Sequence, residues 1–313
     1  MEKNDIAIVI PAYRASSIHK TLYSLSAQTD RRFTVYVGDD ASPEDLATIV
    51  SGFEDRLHIV YYRFPDNYGP EKATDHLKRC LGLIGDESFI CILSDDNELT
   101  SKCIRRFRRT AASHPDYDVY HWNCDTIDVR SEVTEKGRRF RRKMTVGQMF
   151  RRVFIAGAPL SVSSFVFRRD ALLNALSGEE TLAKATLAAL FKAAREKGIL
   201  TVRCSRVLLR RHPDSLSDNP ATAAESAKAV FSFLLWTEGF FAMEEYPASV
   251  KERMRLLAAQ AVKMYPAYTA DAIRDMYLEA RVFDGGLRKM RGRSVLKDYL
   301  SRRTVELDSK QSS

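Results

Sequence analysis

The sequence predicts a doubly wound α/β domain with a mainly parallel sheet, continued by a helical segment. Three observations carry that reading. Over the first hundred residues, short β-rich apolar runs alternate with stretches of helical period, the order that a parallel sheet with crossover helices requires. An Asp-Asp pair stands where two of those runs stop, at the strand ends that form the ligand crevice of such folds. Strand signals then vanish beyond about Ser217.

Taken in order, Ile6 to Ile10 is a continuous apolar run halted by Pro11, as a strand buried on both faces should be. Ser16 and Ser17 offer cap chemistry for a helix to about Gln28, with Ile18, Leu22 and Leu25 on one face. Phe33 to Gly38 is a second strand, closed by Asp39-Asp40, and Ser42-Pro43 open a second helix through Phe53. Leu57 to Tyr62, Glu71 to Leu83 and Ser88 to Leu93 give strand, helix and strand, the last running into Ser94-Asp95-Asp96. A helix over Ser101 to Ser113 and a strand-like piece at Asp118 to Trp122 follow. Leu160 to Phe167 reads as another buried strand, Thr181 to Lys197 as a helix ended by Gly198, and Ile199 to Leu209 as the last strand. Further on, Ala221 to Tyr246, Ser249 to Tyr265 and Thr269 to Phe283 read as helices broken at Pro247, Pro266 and Gly285-Gly286. The expected division is an α/β domain over 1–217 and a helical region with a basic tail over 218–313.

Composition narrows the class. An apolar fraction of 45% with 29% charge suits a folded chain and excludes collagen and disorder. Five scattered cysteines without a CxxC pair read as reduced thiols of a cytosolic protein, with neither a zinc site nor a disulfide framework. The apolar run near Met1 is too short for a signal peptide, and no stretch nears the roughly 18 apolar residues of a membrane span. Forty-nine Lys and Arg against forty-one acids leave +8, and Arg130 to Arg169 alone holds eleven basic residues against Glu132 and Glu135. No helix-turn-helix, RNA-recognition or zinc motif accompanies this charge, so no nucleic-acid partner is expected.

Carboxylates exposed at a strand end suit Mg²⁺ or Mn²⁺, which prefer oxygen ligands and share them with substrate phosphates. Asp95 and Asp96 fit that chemistry, and Asp39-Asp40 falls where nucleotide-binding folds place an acid for the nucleoside. Taken singly, each pair is equally a solvated loop or a charge at a helix N-terminus. Together, Ile8-Val9-Ile10-Pro11-Ala12-Tyr13, Thr21-Leu22-Tyr23-Ser24-Leu25, Gln28-Thr29, Val35-Tyr36-Val37-Gly38-Asp39-Asp40-Ala41-Ser42, Asn67-Tyr68-Gly69 and Ile92-Leu93-Ser94-Asp95-Asp96-Asn97 resemble the inverting family 2 glycosyltransferases of the GT-A fold. That fold is Rossmann-like, a mainly parallel sheet flanked by helices, here with a C-terminal helical appendage. The resemblance is dense over roughly residues 5 to 110 and sparse from there to Ser217, where Arg211-His212 and Ser215-Leu216-Ser217 are similar to the family's closing motif.

The resemblance implies a role for each matching position. Pro11, Ala12 and Tyr13 would line the nucleotide pocket, Asp39 would accept from the base, and Asp40 would support its loop. Asp96 would ligate Mn²⁺ or Mg²⁺ on the donor diphosphate, Asp95 would contact ribose or sugar hydroxyls, and His212 would help close the donor site at the diphosphate or metal. The implied donor is a nucleotide sugar, most often a UDP-sugar, and the acceptor a glycan or lipid-linked molecule in surface polysaccharide synthesis.

Two positions depart from the family pattern. The general base is an Asp near the start of the helix that ends at Lys197-Gly198, but the usual interval lands on Ala185, Thr186 and Leu187, none of which takes a proton at neutral pH. Glu180, with Glu179 behind it, is the replacement candidate, and ordinary N-terminal helix charges are the alternative. Where the family commonly carries Ala-Arg-Asn, this chain has Ala73-Thr74-Asp75, and Lys72 could replace the missing charge though not its bidentate fork. A catalytically weakened protein that binds nucleotide sugar as a partner or scaffold is the rival reading. The basic stretch and tail suit a cytoplasmic protein peripheral at the inner membrane face, and the aromatic helices near Trp236 suit packing on the main domain or a second subunit.

Overall fold

The computed structural model describes residues 4–69, 72–150, 152–153, 160–177, 185–211 and Trp236. Nearly all belong to one compact unit, Met1–Thr181 with Ala185–His212. The expected helical region 218–313 otherwise lies outside the described residues.

The chain runs β1 (Ile6–Ala12), α1 (Ala15–Ser26), β2 (Thr34–Asp39), α2 (Leu46–Ser51), β3 (Ile59–Arg63), α3 (Ala73–Leu81), β4 (Phe89–Ile92) and β5 (Glu98–Leu99). It continues with α4 (Cys103–Ser113), β6 (Val119–Ile127), β7 (Val133–Lys136), β8 (Lys143–Met144) and α5 (Val146–Phe150). A 3-10 turn, Val162–Ser164, leads into β9 (Phe165–Arg168), followed by α6 (Arg169–Leu176), α7 (Ala185–Ala193) and β10 (Ile199–Arg210). One sheet takes the order β3-β2-β1-β4-β9-β6-β10-β5, with β7 on β6 and β8 on β10. Strands β1 to β4 are mutually parallel, β9 runs against both β4 and β6, and β10 pairs parallel with β6.

Burial explains the alternation. Ile6 to Ile10 are all fully buried, so both faces of β1 are covered. One face joins Ile6, Ile8 and Ile10 to Ile18, Leu22 and Leu25 of α1 and to Ile104 and Phe107 of α4. Phe107 is the hub of that layer, edge-on to Phe89 at 5.1 Å, Tyr120 at 5.2 Å and Trp122 at 6.3 Å. On the opposite face α3 packs so closely that a Cβ on Gly38 would meet the Cys80 sulfur at 2.3 Å.

Three local expectations are corrected. Helix α1 begins at Ala15 after Arg14, with no side-chain cap of its own, so Ser16 and Ser17 are interior residues. Helix α2 begins at Leu46, where Asp45 accepts from the Thr48 amide, rather than at Ser42-Pro43. The piece from Leu160 to Phe167 is mostly turn, and only Phe165–Arg168 is strand. Gly198 sits at φ +73° and ends the α7 segment as expected, its amide donating to Ala194 at 2.8 Å.

Candidate active site

The carboxyl ends of β1, β2 and β4 bring Asp39, Asp40, Tyr13, Asp95 and Asp96 to one edge of the sheet. Asp39 is fully buried. Its Oδ1 accepts from the Ser42 amide at 2.7 Å, and its Oδ2 from the Tyr61 hydroxyl at 2.6 Å and Arg63 Nη1 at 3.0 Å. A carboxylate offers about four lone-pair positions, so one remains, on Oδ1. Burial, together with the hydrogen bond to this carboxylate, pushes the Tyr61 phenol up to about 12. The chain then turns through Ala41, held at φ +51°.

Asp40 points the other way and fastens the Asn67–Gly69 loop. It accepts from the Tyr68 and Gly69 amides, each at 3.0 Å, and from Arg79. The Arg79 guanidinium lies between two rings, 4.0 Å from Phe64 and 3.9 Å from Tyr68. His76 Nδ1 is 3.3 Å from Asp40 but accepts from Arg79 Nε at 3.0 Å. Burial lowers the His76 pKa, so a neutral imidazole rather than an ion pair completes this cluster. Lys72 is exposed at the start of α3, 5.7 Å from the Tyr68 ring. Arg79, five residues beyond Thr74 on the same helix, is the guanidinium that α3 turns toward the Asp39-Asp40 loop.

The turn from β1 into α1 is tied by carboxylates from two other loops. Asp95 Oδ2 accepts from the amides of Tyr13 at 3.0 Å and Arg14 at 3.1 Å, and Glu44 Oε2 takes the Ala15 amide at 2.5 Å. Ser42 Oγ donates to the Tyr13 carbonyl at 2.6 Å, and the Tyr13 side chain remains exposed. These are the amides with which a dinucleotide-binding fold would cradle phosphate. In this protein they already donate to its own acids.

The Ser94–Asn97 loop is braced from several sides. Thr21 Oγ1 donates to the Asp95 carbonyl at 2.9 Å. Ser163 Oγ accepts from the Ser94 amide at 3.0 Å and Asn97 Nδ2 at 3.1 Å. Arg210, at the end of β10, donates from Nε to the Asp96 carbonyl at 3.1 Å, while its amide donates to Asn97 Oδ1 at 3.1 Å. The same guanidinium reaches Glu98, the Asp128 carbonyl and Ser131 Oγ. Burial, with a smaller push from the Asp96 charge, raises the Asp95 pKa to about 6 against the pull of the Tyr13 and Arg14 amides.

The sequence model of the family described as Glycosyl transferase family 2 matches residues 7–174, more than half of the chain. The chain belongs to this glycosyltransferase family. Among solved structures, S. aureus TarS 1-349 in complex with UDP is similar at 16% identity and a TM-score of 0.57, covering 99% of this chain and 92% of that one. The same fragment in complex with UDP-GlcNAc gives the same values, and S. aureus TarS aligns at 16% identity with a TM-score of 0.54 over 89% of this chain and 53% of that one. These likenesses carry the GT-A fold. No curated protein sequence gives a match.

Within this glycosyltransferase, the donor set suits the metal the family implies. Among the described residues no three His, Cys, Asp or Glu side chains gather as a metal cage. Asp95 and Asp96 supply hard carboxylate oxygens, the kind of donor with which Mg²⁺ is held by one or two carboxylates plus substrate phosphates. Glu179, Glu180 and His212 lie outside the described residues. At the usual base position α7 opens with Ala185, which is fully buried, followed by Thr186 and Leu187. Arg210, Ser163, Glu44, Tyr61 and Arg79 are site residues that sequence reasoning missed. Only Arg210 carried a signal, its place in the Arg210-Arg211-His212 run at a strand end.

Proposed function

We propose that this glycosyltransferase transfers a sugar, with inversion, from a nucleoside diphosphate sugar to a hydroxyl of a glycan or lipid-linked acceptor in surface polysaccharide synthesis. UDP is the proposed carrier and Mn²⁺ or Mg²⁺ the proposed cofactor. The observation that carries the reading is the braced Ser94–Asn97 loop beside the Asp39-Asp40 turn. It supports a carboxylate set down at a defined point one strand away from a nucleoside-binding acid. The TarS complexes with UDP and UDP-GlcNAc support the same class of donor.

In this mechanism Asp39 accepts the imide N–H of a uracil at Oδ1, with Arg63 and Tyr61 orienting the carboxylate through Oδ2. Pro11 and Ala12 floor the pocket, and the exposed Tyr13 ring offers the base a face. Asp96 would hold the cation, with Asp95 at its side directed to ribose or sugar hydroxyls. A divalent cation bound there supplies Lewis-acid stabilisation to the departing diphosphate. Lys72 and His212 are proposed to add positive charge around the phosphates. An inverting displacement needs one general base on the acceptor hydroxyl, and Glu180, then Glu179, is proposed for it.

The buried Ala185 and its neighbours Thr186 and Leu187 favour a second reading, a weakened enzyme that binds the donor as a partner or scaffold. Thermal-shift titration with UDP and a panel of UDP-sugars, UDP-GlcNAc first, with and without Mn²⁺, tests both together with a hydrolysis and transfer assay. Metal-dependent stabilisation with turnover is the expected result. Stabilisation without turnover on any acceptor selects the scaffold, and no response to any nucleotide sugar removes both.

A further inference from the structure

Among the described residues, a cluster of arginines gathers along α4, away from the Asp39 and Asp95 loops. Two cavities lie along α4 and share Arg109. The larger, about 540 Å³, is lined by Arg31, Arg32, Arg105 and Arg108 as well, and it contains its own acid. Asp30 pairs with Arg32 at 2.6 Å and Arg108 at 3.5 Å, and Arg108 also meets Asp5. The smaller, about 340 Å³, is lined by Arg106, Arg109, Thr110, Arg142, Arg203 and Cys204. No carboxylate lines it, and none of its four arginines has an ion-pair partner among the described residues.

The fold assembles those four guanidinium groups rather than scattering them. Arg106 and Arg109 are three residues apart and therefore neighbours on α4, whose apolar side, Cys103, Ile104 and Phe107, is buried. Arg142 is fastened to β10: its carbonyl accepts from the Thr201 amide at 2.8 Å, and its Nη1 donates to the Thr201 carbonyl at 2.5 Å. Arg203 and Cys204 are pushed out of an otherwise buried strand by a bulge between Val202 and Arg206, with Cys204 at φ +59°. Bringing like charges together costs free energy that a bound anion returns. Burial, and next the Arg203 charge, lower the Arg142 pKa, the direction expected where cations converge without an acid. Guanidinium forks match phosphate oxygens two at a time, and the volume falls in the range of about 300–1,000 Å³ usual for small-ligand cavities.

We infer that this cavity is a binding site for a phosphate-bearing anion, gripped by Arg106, Arg109, Arg142 and Arg203 and sharing no residue with the donor crevice. The phosphate belongs either to a soluble phosphorylated ligand or to an anionic lipid headgroup. The test uses the full chain in EDTA, which keeps the metal-dependent donor site out of play. Pyrophosphate is titrated calorimetrically, and vesicles of phosphatidylglycerol or phosphatidylcholine are co-sedimented with the protein. Pyrophosphate should bind the parent, and Arg106→Gln/Arg109→Gln should weaken it at least about tenfold, whereas Asp39→Asn in the donor crevice should leave it unchanged. Arg203→Gln, on an exposed bulge, provides an independent variant, and circular dichroism confirms that both remain folded. Retention on phosphatidylglycerol but not phosphatidylcholine, lost in the same variants, identifies the lipid source; pyrophosphate binding without retention identifies the soluble one. Parent protein that binds neither probe, or arginine variants that bind as the parent does, overturn the inference.

Discussion

Arg210 fixes the backbone of the short loop that carries Asp96, the residue proposed to hold the cation. Asp96→Ala should abolish Mn²⁺-dependent stabilisation by UDP-sugars while leaving the metal-free melting temperature nearly unchanged. An undiminished thermal shift would count against the site. Arg210→Met is expected to act through stability as well, because it strands Glu98 in a half-buried setting; losing one partner of such a pair costs roughly 3–5 kcal/mol. Adding Glu98→Gln should recover most of that stability without restoring donor affinity, which chemical denaturation and UDP titration read separately. The acids of this site were legible because two Asp-Asp pairs fall at strand ends within a series of ordered motifs, neither pair being specific alone. Arg210 was not, because one arginine in a basic run looks solvated until the strand's end is seen to turn it inward.

At the level of helices and strands, periodicity located the elements but not their ends, which depend on groups far away in sequence. Helix α1 illustrates this: Ser16 and Ser17 have the right chemistry for a cap, yet its first amides are taken by Asp95 and Glu44 from separate loops. Gln28 shows the same principle at the other end of that helix. Its side chain bonds the Ser24, Leu99 and Thr100 carbonyls and the Ile104 amide, which gives the Gln28-Thr29 motif a structural reason. Close packing also sets limits that no motif announces. Gly38→Ala would drive a methyl into Cys80 and should destabilise by about 1–3 kcal/mol, as overpacking does. Gly198→Ala combines φ +73° with a 2.5 Å approach to the Met144 carbonyl and is expected to cost at least as much. Denaturant midpoints measured alongside an exposed control such as Ser113→Ala would check both. No such loss would mean that these contacts relax at no cost.

For the molecule as a whole, the two faces of the sheet differ in how they meet acid. His121 and Trp122 are neighbours in sequence but alternate sides of β6, and His121 packs against Phe140 at 4.6 Å and Phe165 at 4.9 Å with neither ring nitrogen hydrogen-bonded. Burial lowers its pKa to about 3. Below its ordinary pKa of about 6.5 the unfolded chain takes up a proton that the native state refuses, so stability falls with pH, by about 2 kcal/mol at pH 5. Asp95 acts in the opposite sense: its raised pKa makes the native state bind the extra proton between 3.8 and about 6. Comparing the parent with His121→Phe isolates the histidine contribution: relative to the variant, the parent should lose about 2 kcal/mol between pH 7 and pH 5. Identical slopes would remove His121 as the cause.

The reach of Arg210 has a practical corollary for trimming this protein. The family match stops at residue 174, after the Asp39-Asp40 and Asp95-Asp96 motifs but before the Arg211-His212 run. Yet β10 supplies Leu200, Val202 and Val207 to the core and ends in the side chain that steadies Asp96. A fragment cut at 174 would lose those core residues and the Arg210 bond to the Asp96 carbonyl, whereas one carried beyond 210 keeps both. The smallest piece that keeps this loop braced is therefore longer than the piece the family match outlines.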